Sequence, residues 1–233
     1  MALHSVRFPN ESAGYRTARD ELLQAEADLR KRTEEVAAMR RRLPVGGAVR
    51  EDYVFEEGGA DLADAESVRR VRLSELFRRP EASLLLYNFM YGPKMEKACP
   101  MCTSFLDSLN GIAPHVMQRM NLAVVARSPI QRLRAHGRAR GWRNLRLLSS
   151  AGNAFNHDYF GENPDESQNP ILHVFVRRGA EVHHFYSTEL AFAPTEPGQH
   201  PRHIDPMWPL WSLFDLTPEG RGKDWYPKLS YES

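Results

Sequence analysis

Two uninterrupted apolar runs, SLLLYNFMY at 83–91 and LAVVA at 122–126, constrain the fold most tightly. A strand with one wet face alternates polar and apolar residues, whereas a strand apolar at every position must be covered on both faces. Between the runs, Phe105, Leu106, Leu109, Ile112 and Val116 follow helical spacing over 99–117. A second helix opens at Pro129, runs to about Arg140 and is closed by Gly141, and a short strand follows at 145–148. Residues 171–176 and 181–186 alternate around Arg178-Gly179 and predict an antiparallel hairpin. Before the first run lie short extended pieces at 52–55 and 71–73, a turn at Gly58-Gly59 and a helical turn at 74–77. A last helix within 205–217 is packed by Trp208, Trp211 and Phe214. Strands alternating with helices predict an α/β fold, a mixed central sheet with helices on both faces.

Ahead of this region, residues 12–43 read as one helix, with Ser12 as N-cap, Pro44 as the stop and Gly46-Gly47 as a hinge. Tyr15, Leu22, Leu29, Val36 and Leu43 recur every seven residues, and Ala18, Ala25, Arg32 and Met39 follow three residues after the first four. This is an a/d heptad broken by Arg32, on a helix of about 45 Å. Its stripe is either the seam of a homodimer or the inner face of a helix folded back on its own domain. Arg40, Arg41 and Arg42 suit the last carbonyls and the negative dipole end better than a nucleic acid. The domains read as an N-terminal arm, 1–48, and a main domain, 49–233.

Composition closes off several classes. With 233 residues, 42% of them hydrophobic, the chain can bury a sizeable core. Lys and Arg number 31 against 30 Asp and Glu, a net +1 that draws in neither nucleic acid nor an anionic membrane. No apolar run approaches the roughly 20 residues of a membrane span. The first residues lack a secretory apolar segment, so a cytoplasmic protein is expected. There is no G-x-G-x-x-G, Walker A, H-E-x-x-H or G-x-S-x-G, so no cofactor is expected. Arg127, Arg132, Arg134, Arg138, Arg140, Arg143 and His136 form a basic stretch, read as a solvated helix face rather than a nucleic-acid surface. Trp208, Trp211 and Trp225 read as core or interface, and His115, His157 and His173 as packing or hydrogen-bonding residues rather than bases, with His157-Asp158 in a loop.

The chain has two cysteines, Cys99 and Cys102, joined as Cys-Pro-Met-Cys at the start of the first core helix. A thiol attacks only as thiolate, and a helix N-terminus is one place where its pKa falls. Cys99 at the N-cap faces the unpaired N–H groups and the positive dipole end, and Pro100 takes the first helical position, where its missing N–H costs nothing. Cys102 lies one turn on, on the same face, in reach of a disulfide. Cys99 is the candidate attacking thiol and Cys102 the resolving one. Lys94 and Lys97 are nearby cations. A zinc site needs two more ligands, and His183-His184, adjacent on a strand, point to opposite faces. Two inert buried thiols are the remaining alternative.

The segments LLQAEADLRKRTEEVAAMRRRLP, DYVFE, YNFMYGPKMEKACPMC, VVARSPIQRLRAHGRARGW, SSAGNAFNHDYFG and FDLTPEGR, in order over most of residues 15–222, carry a resemblance. The chain resembles a bacterial thioredoxin-like group, domain-of-unknown-function family 899, within the thioredoxin superfamily. The resemblance implies a thioredoxin-like three-layer sandwich and dithiol–disulfide chemistry. It implies that Asn169-Pro170, directly before the strand at 171–176, is a cis bond beside the dithiol, with Pro170 shaping the docking surface. Pro100 and Met101 differ from the Gly-Pro of thioredoxin, and Ala98 stands where thioredoxin has tryptophan, so redox poise and partner choice stay open. A peroxiredoxin needs Pro-x-x-x-Thr/Ser-x-x-Cys. Here Pro93 lies six residues before Cys99 with Glu96 at the hydroxyl position, which disfavours peroxidase activity.

The expected activity is therefore dithiol–disulfide exchange on a disulfide-bearing protein or small thiol, with an external reductant supplying electrons. A non-catalytic thioredoxin-fold scaffold that oligomerises through the arm is the alternative. Deleting residues 1–44 tests the arm by mass in solution: if the heptad is a dimer seam, the truncated chain is a monomer, and an unchanged oligomeric state overturns the dimer.

Overall fold

The computed structural model describes residues 3–64, 66–222 and 224–231. The chain divides into two compact units, Met1–Pro44 and Val45–Ser233. The first is helix α1, Ala13–Arg41. The Ser12 side chain, on extended backbone, accepts the Tyr15 N–H at 3.1 Å and so satisfies an orphan donor of the first turn. Arg16 pairs with Asp20 one turn on at 3.1 Å, a contact worth a few tenths of a kcal/mol. Arg40 and Arg41 occupy the last turn, where cations oppose the dipole.

The second unit is built on a seven-stranded sheet in the order β2-β1-β5-β4-β3-β6-β7. Its strands are β1 Val54–Gly58, β2 Val68–Arg72, β3 Leu84–Asn88, β4 Asn121–Ala126, β5 Leu147–Ser149, β6 Ile171–Arg178 and β7 Glu181–Ser187. β3, β4 and β5 are parallel, joined by α2, Pro100–Val116, and α3, Ile130–Arg140. β1, β2, β6 and β7 pair antiparallel at the two sides, so the sheet is mixed. All six residues of β4 are buried, as expected of a strand covered on both faces. The Gly141 C-cap, at φ 70°, ends α3 in the left-handed conformation that glycine adopts without strain.

Alternate residues of the central strands face two cores. Tyr87, Val124, Leu147 and Leu172 pack with Phe105, Leu106 and Leu109 of α2 and Leu133 of α3. Leu84, Leu86, Ala123, Val125 and Phe175 pack on the other face with Tyr53, Leu73, Leu76, Phe77 and Phe155. Helical segments thus cover both faces unevenly. α2 and α3 lie on one, and the other is roofed by a 3-10 turn, Leu73–Leu76, and the single turn α4, Phe155–Asp158.

Several expectations change. The terminal helix is only α5, Pro209–Phe214, because the preceding residues form turns that bury Ile204 and Trp208. Gly46 and Gly47 are not a free hinge: the Gly46 N–H donates to His184 O at 3.0 Å, and His184 N–H to Gly47 O at 3.0 Å. A Cβ on Gly46 would lie 2.6 Å from that His184 oxygen, so only glycine permits the approach. The basic stretch is not simply a solvated face. Arg134 is buried and donates to the carbonyls of Gly59, Asp61 and Asp64 at 2.6–2.7 Å. Arg138 donates to Leu62 O, Arg140 pairs with Asp107, and Arg127 pairs with Glu162 at 3.2 Å. Arg134 and Arg138 thus tie the loop at 59–64 to α3, where irregular backbone needs donors, and Arg140 ties α3 to α2.

Replacing Arg134 by Met should therefore destabilise the protein by at least about 2 kcal/mol, since three carbonyls lose a charged donor. Denaturant unfolding reads this. A loss below about 0.5 kcal/mol would return Arg134 to the class of exposed surface residues.

Candidate active site

The site is assembled where β3 runs into α2. After Asn88 the backbone stays paired for one more residue, Phe89 N–H to Val125 O at 2.8 Å. It loops out and returns when the Cys99 N–H donates to Met90 O at 3.1 Å. Arg132 of α3 holds this loop: it donates to Glu96 O at 2.9 Å and to Met95 O, and its guanidinium lies 4.3 Å from the Tyr91 ring centroid. The sequence placed Arg132 in a basic stretch but gave no sign that it clamps the dithiol loop.

Cys99 is the N-cap of α2, on extended backbone at φ −60° and ψ 123°, and Pro100 stands at the helix start. The Thr103 N–H donates to Cys99 O at 2.9 Å, the first helical bond. Cys99 is half-buried, Cys102 is buried one turn on, and both are free thiols. Pro100 and Met101 lie partly exposed between them.

The two sulfurs are electrostatically unlike. Cys99 is lowered to about 6, chiefly because the Cys102 thiol hydrogen-bonds to it, with further help from the Cys102 and Met101 N–H groups and the Tyr226 hydroxyl. Burial opposes this and is outweighed. Cys102 moves well above the usual thiol range, because its proton is held by Cys99 and because it is buried. At neutral pH the pair therefore favours a thiolate on the more accessible sulfur, Cys99, and a thiol on Cys102.

Three further groups surround the pair. The buried Tyr87 hydroxyl faces the Cys102 sulfur, and burial together with the Cys102 charge and hydrogen bond raises its pKa well above the usual phenol range. Tyr226, from the C-terminal segment, meets Cys99. His136 accepts or donates at 3.2 Å with Thr103 Oγ1 and packs among Phe89, Tyr91 and Trp142; burial holds it below the ordinary imidazole range. Tyr226 has no motif and its contact spans most of the domain, so only the folded chain discloses it. Met101 lines a cavity of about 220 Å³ with Trp211, Trp225 and Arg221, and Arg221 is fixed by Asp205 and Asp215.

Pro170 stands just before Ile171, which pairs with Asn88 at the end of β3, so it borders the strand that leads to the dithiol. The Asn169–Pro170 bond is trans, against the cis expectation. Asn169 is anchored on both sides of its peptide unit: its N–H donates to Gly161 O at 2.9 Å and its carbonyl accepts Asn88 Nδ2 at 2.6 Å. These bonds fit the trans form, which X-Pro peptides already favour by about 0.5–1 kcal/mol. Lys94 pairs with Glu166 rather than with a sulfur. Asp158 lies with the opposite core, where it accepts from the Tyr53 hydroxyl at 2.6 Å and from Arg50 at 3.0 Å.

The family described as bacterial protein of unknown function (DUF899) matches residues 5–232, and the chain belongs to it. No curated protein matches. Solved structures with a similar course include a reduced 2-Cys peroxiredoxin from Plasmodium vivax, 16% identical with TM-score 0.47, covering 61% of this chain and 83% of that one. A putative thioredoxin reductase from Burkholderia cenocepacia is 14% identical with TM-score 0.47, covering 68% and 90%. The peroxidoxin BcpB from Mycobacterium tuberculosis is 15% identical with TM-score 0.45, covering 71% and 94%. No helix among the described residues is long and apolar enough to cross a membrane.

Iodoacetamide alkylation of Cys99, followed against pH, should rise with a midpoint near 6. Because the Cys102 thiol is the largest influence lowering it, Cys102→Ala should move the midpoint up toward the free-thiol value, and Tyr226→Phe should do so by less. A wild-type midpoint above about 8 would show that the thiolate is not stabilised.

Proposed function

We propose that the chain is a dithiol–disulfide oxidoreductase whose partners are a disulfide-bearing protein or small disulfide and an external dithiol reductant. The observation that carries this reading is the asymmetry of the pair: a half-buried Cys99 favoured as thiolate at a helix N-terminus, one turn from a buried, protonated Cys102.

In the first step the Cys99 thiolate attacks one sulfur of the substrate disulfide, forming a mixed disulfide and expelling the other sulfur as thiolate. Cys102 then loses its proton to solvent or to the departing thiolate and attacks the Cys99 sulfur. The second substrate thiol leaves and the Cys99–Cys102 disulfide forms, so two electrons pass from the dithiol to the substrate. The external dithiol returns them by the reverse exchange. Once Cys99 is tied up in the mixed disulfide, its charge and its hydrogen bond no longer hold the proton on Cys102, and the Tyr87 hydroxyl is placed to stabilise the developing Cys102 thiolate. Pro100 and Met101, between the thiols, and Pro170, beside the end of β3, form the docking surface in this reading, and the heptad arm pairs two copies. A reducing compartment such as the cytoplasm keeps the resting pair as free thiols.

Turnover is measured on a model disulfide such as insulin with excess dithiothreitol. Cys99→Ser should abolish it. Cys102→Ser should stop it after one event and accumulate a mixed disulfide, seen by mass on a non-reducing gel. Wild-type turnover no better than dithiothreitol alone, or full activity in both variants, would remove the proposal and favour the non-catalytic scaffold.

A further inference from the structure

A cavity of about 760 Å³ in the second unit lies on the sheet face opposite α2 and has no part in the proposed dithiol chemistry. Its polar wall is built by an irregularity in the hairpin. In a regular ladder His184 and Ser187, three residues apart, would point to opposite faces. Here Val174 pairs with Tyr186 and Phe175 with His184, which leaves Phe185 as a bulge. The extra residue turns His184 and Ser187 onto one face, together with His173, the partner of Ser187 across the ladder. Ser187 Oγ consequently lies 2.7 Å from His173 Nδ1 and 2.7 Å from His184 Nε2. The Tyr159 ring stands beside both imidazoles, its centroid 5.6 Å from His173 and 6.0 Å from His184. At the rim, Phe160 and Phe192 are 68% and 51% exposed and meet edge to face at 6.5 Å. Phe160 holds φ at 55°, a left-handed conformation that is strained for a bulky residue and clusters at binding sites.

We propose that this cavity binds a neutral, flat, largely apolar molecule carrying one hydroxyl or carbonyl oxygen, received by the Tyr159 hydroxyl and lodged between the aromatic rim and the Ser187 wall. The volume falls within the usual 300–1,000 Å³ of small-molecule sites. The exposed rings at the mouth select an apolar, planar body.

The wall selects against charge. Ser187 has one proton for two imidazoles, so one ring must donate to Oγ, while His173 Nε2 stays buried without a hydrogen-bond partner among the described residues. The Tyr159 hydroxyl makes no hydrogen bond among the described residues, and with the unpartnered His173 Nε2 it is left for a ligand. Burial keeps His173 and His184 neutral, with His173 down to about 3, and pushes the Tyr159 phenol up to about 12. Asp158 is already engaged by Tyr53 and Arg50, and Glu189, exposed at the edge, would repel an anion. An ion entering would be desolvated with no counter-charge deep in the site.

Calorimetric titration of the full chain with 2-naphthol, 2-naphthoate and 2-naphthylmethylammonium tests the proposal. 2-Naphthol should bind below about 1 mM, and each ion at least about tenfold more weakly. Tyr159→Phe, which keeps the ring, should weaken 2-naphthol about tenfold, the effect of one hydrogen bond. Ala193→Trp, at an exposed position of the lining, should block binding. The same affinities are expected in Cys99→Ser, so failure of the dithiol reading would leave this result untouched. No binding of 2-naphthol at 1 mM, ions binding as tightly, or unchanged affinity in Tyr159→Phe or Ala193→Trp would each overturn the assignment.

Discussion

The 3.1 Å hydrogen bond from Cys99 N–H to Met90 O closes the loop between β3 and α2, and the placement of both sulfurs depends on it. The bond consumes an N–H just ahead of the helix and leaves the N–H groups of Met101 and Cys102 turned toward the Cys99 sulfur. Proline at the next position adds no competing donor and fixes φ for helix entry. Arg132 reinforces the closure from α3 by bonding loop carbonyls that would otherwise lack donors. The strand end, the loop and two helices therefore converge on one sulfur.

That convergence explains why two chemically identical residues behave differently. The sulfur at the helix mouth receives donors and keeps contact with solvent. The sulfur one turn deeper is enclosed by Tyr87, Phe105 and the rest of that core, where a charge is expensive. A single proton shared between them settles on the buried atom. In the proposed exchange this asymmetry would order the two steps, since the inner thiol would gain nucleophilic character only after the outer one has reacted.

Much of this frame was legible in local sequence. The apolar runs at 83–91 and 122–126 became β3 and β4 because hydrophobic continuity reports burial on both faces, and Ser12, Pro100 and Gly141 marked helix ends through backbone chemistry alone. The four residues of Cys-Pro-Met-Cys fell on the first turn of α2 as their spacing required. What stayed hidden is long-range. Tyr226 lies more than a hundred residues from Cys99, and Arg132 and Arg134 looked like surface charge because their carbonyl partners belong to irregular loops with no pattern of their own. The Asn169–Pro170 geometry was carried over from a resemblance, and the anchoring of Asn169 by Asn88 and Gly161 is particular to this chain.

The sheet keeps the two sites apart by the same alternation that builds its cores. Tyr87 faces the dithiol while Leu86, its neighbour in β3, faces the cavity side, and across the ladder Leu172 and His173 divide in the same way. One pleat cannot serve both sites with one side chain, so chemistry on each face can vary without disturbing the other. The link between them is the buried amide chain at the strand ends. Asn88 donates to Gly161 O and Asn169 O, and its own oxygen accepts from Asn156 at 2.7 Å. Gly161 follows the strained Phe160 at the cavity rim, and Asn88 precedes the loop that carries Cys99. A buried network of this kind is costly to leave partly unpaired, so it holds the two sites at a fixed separation.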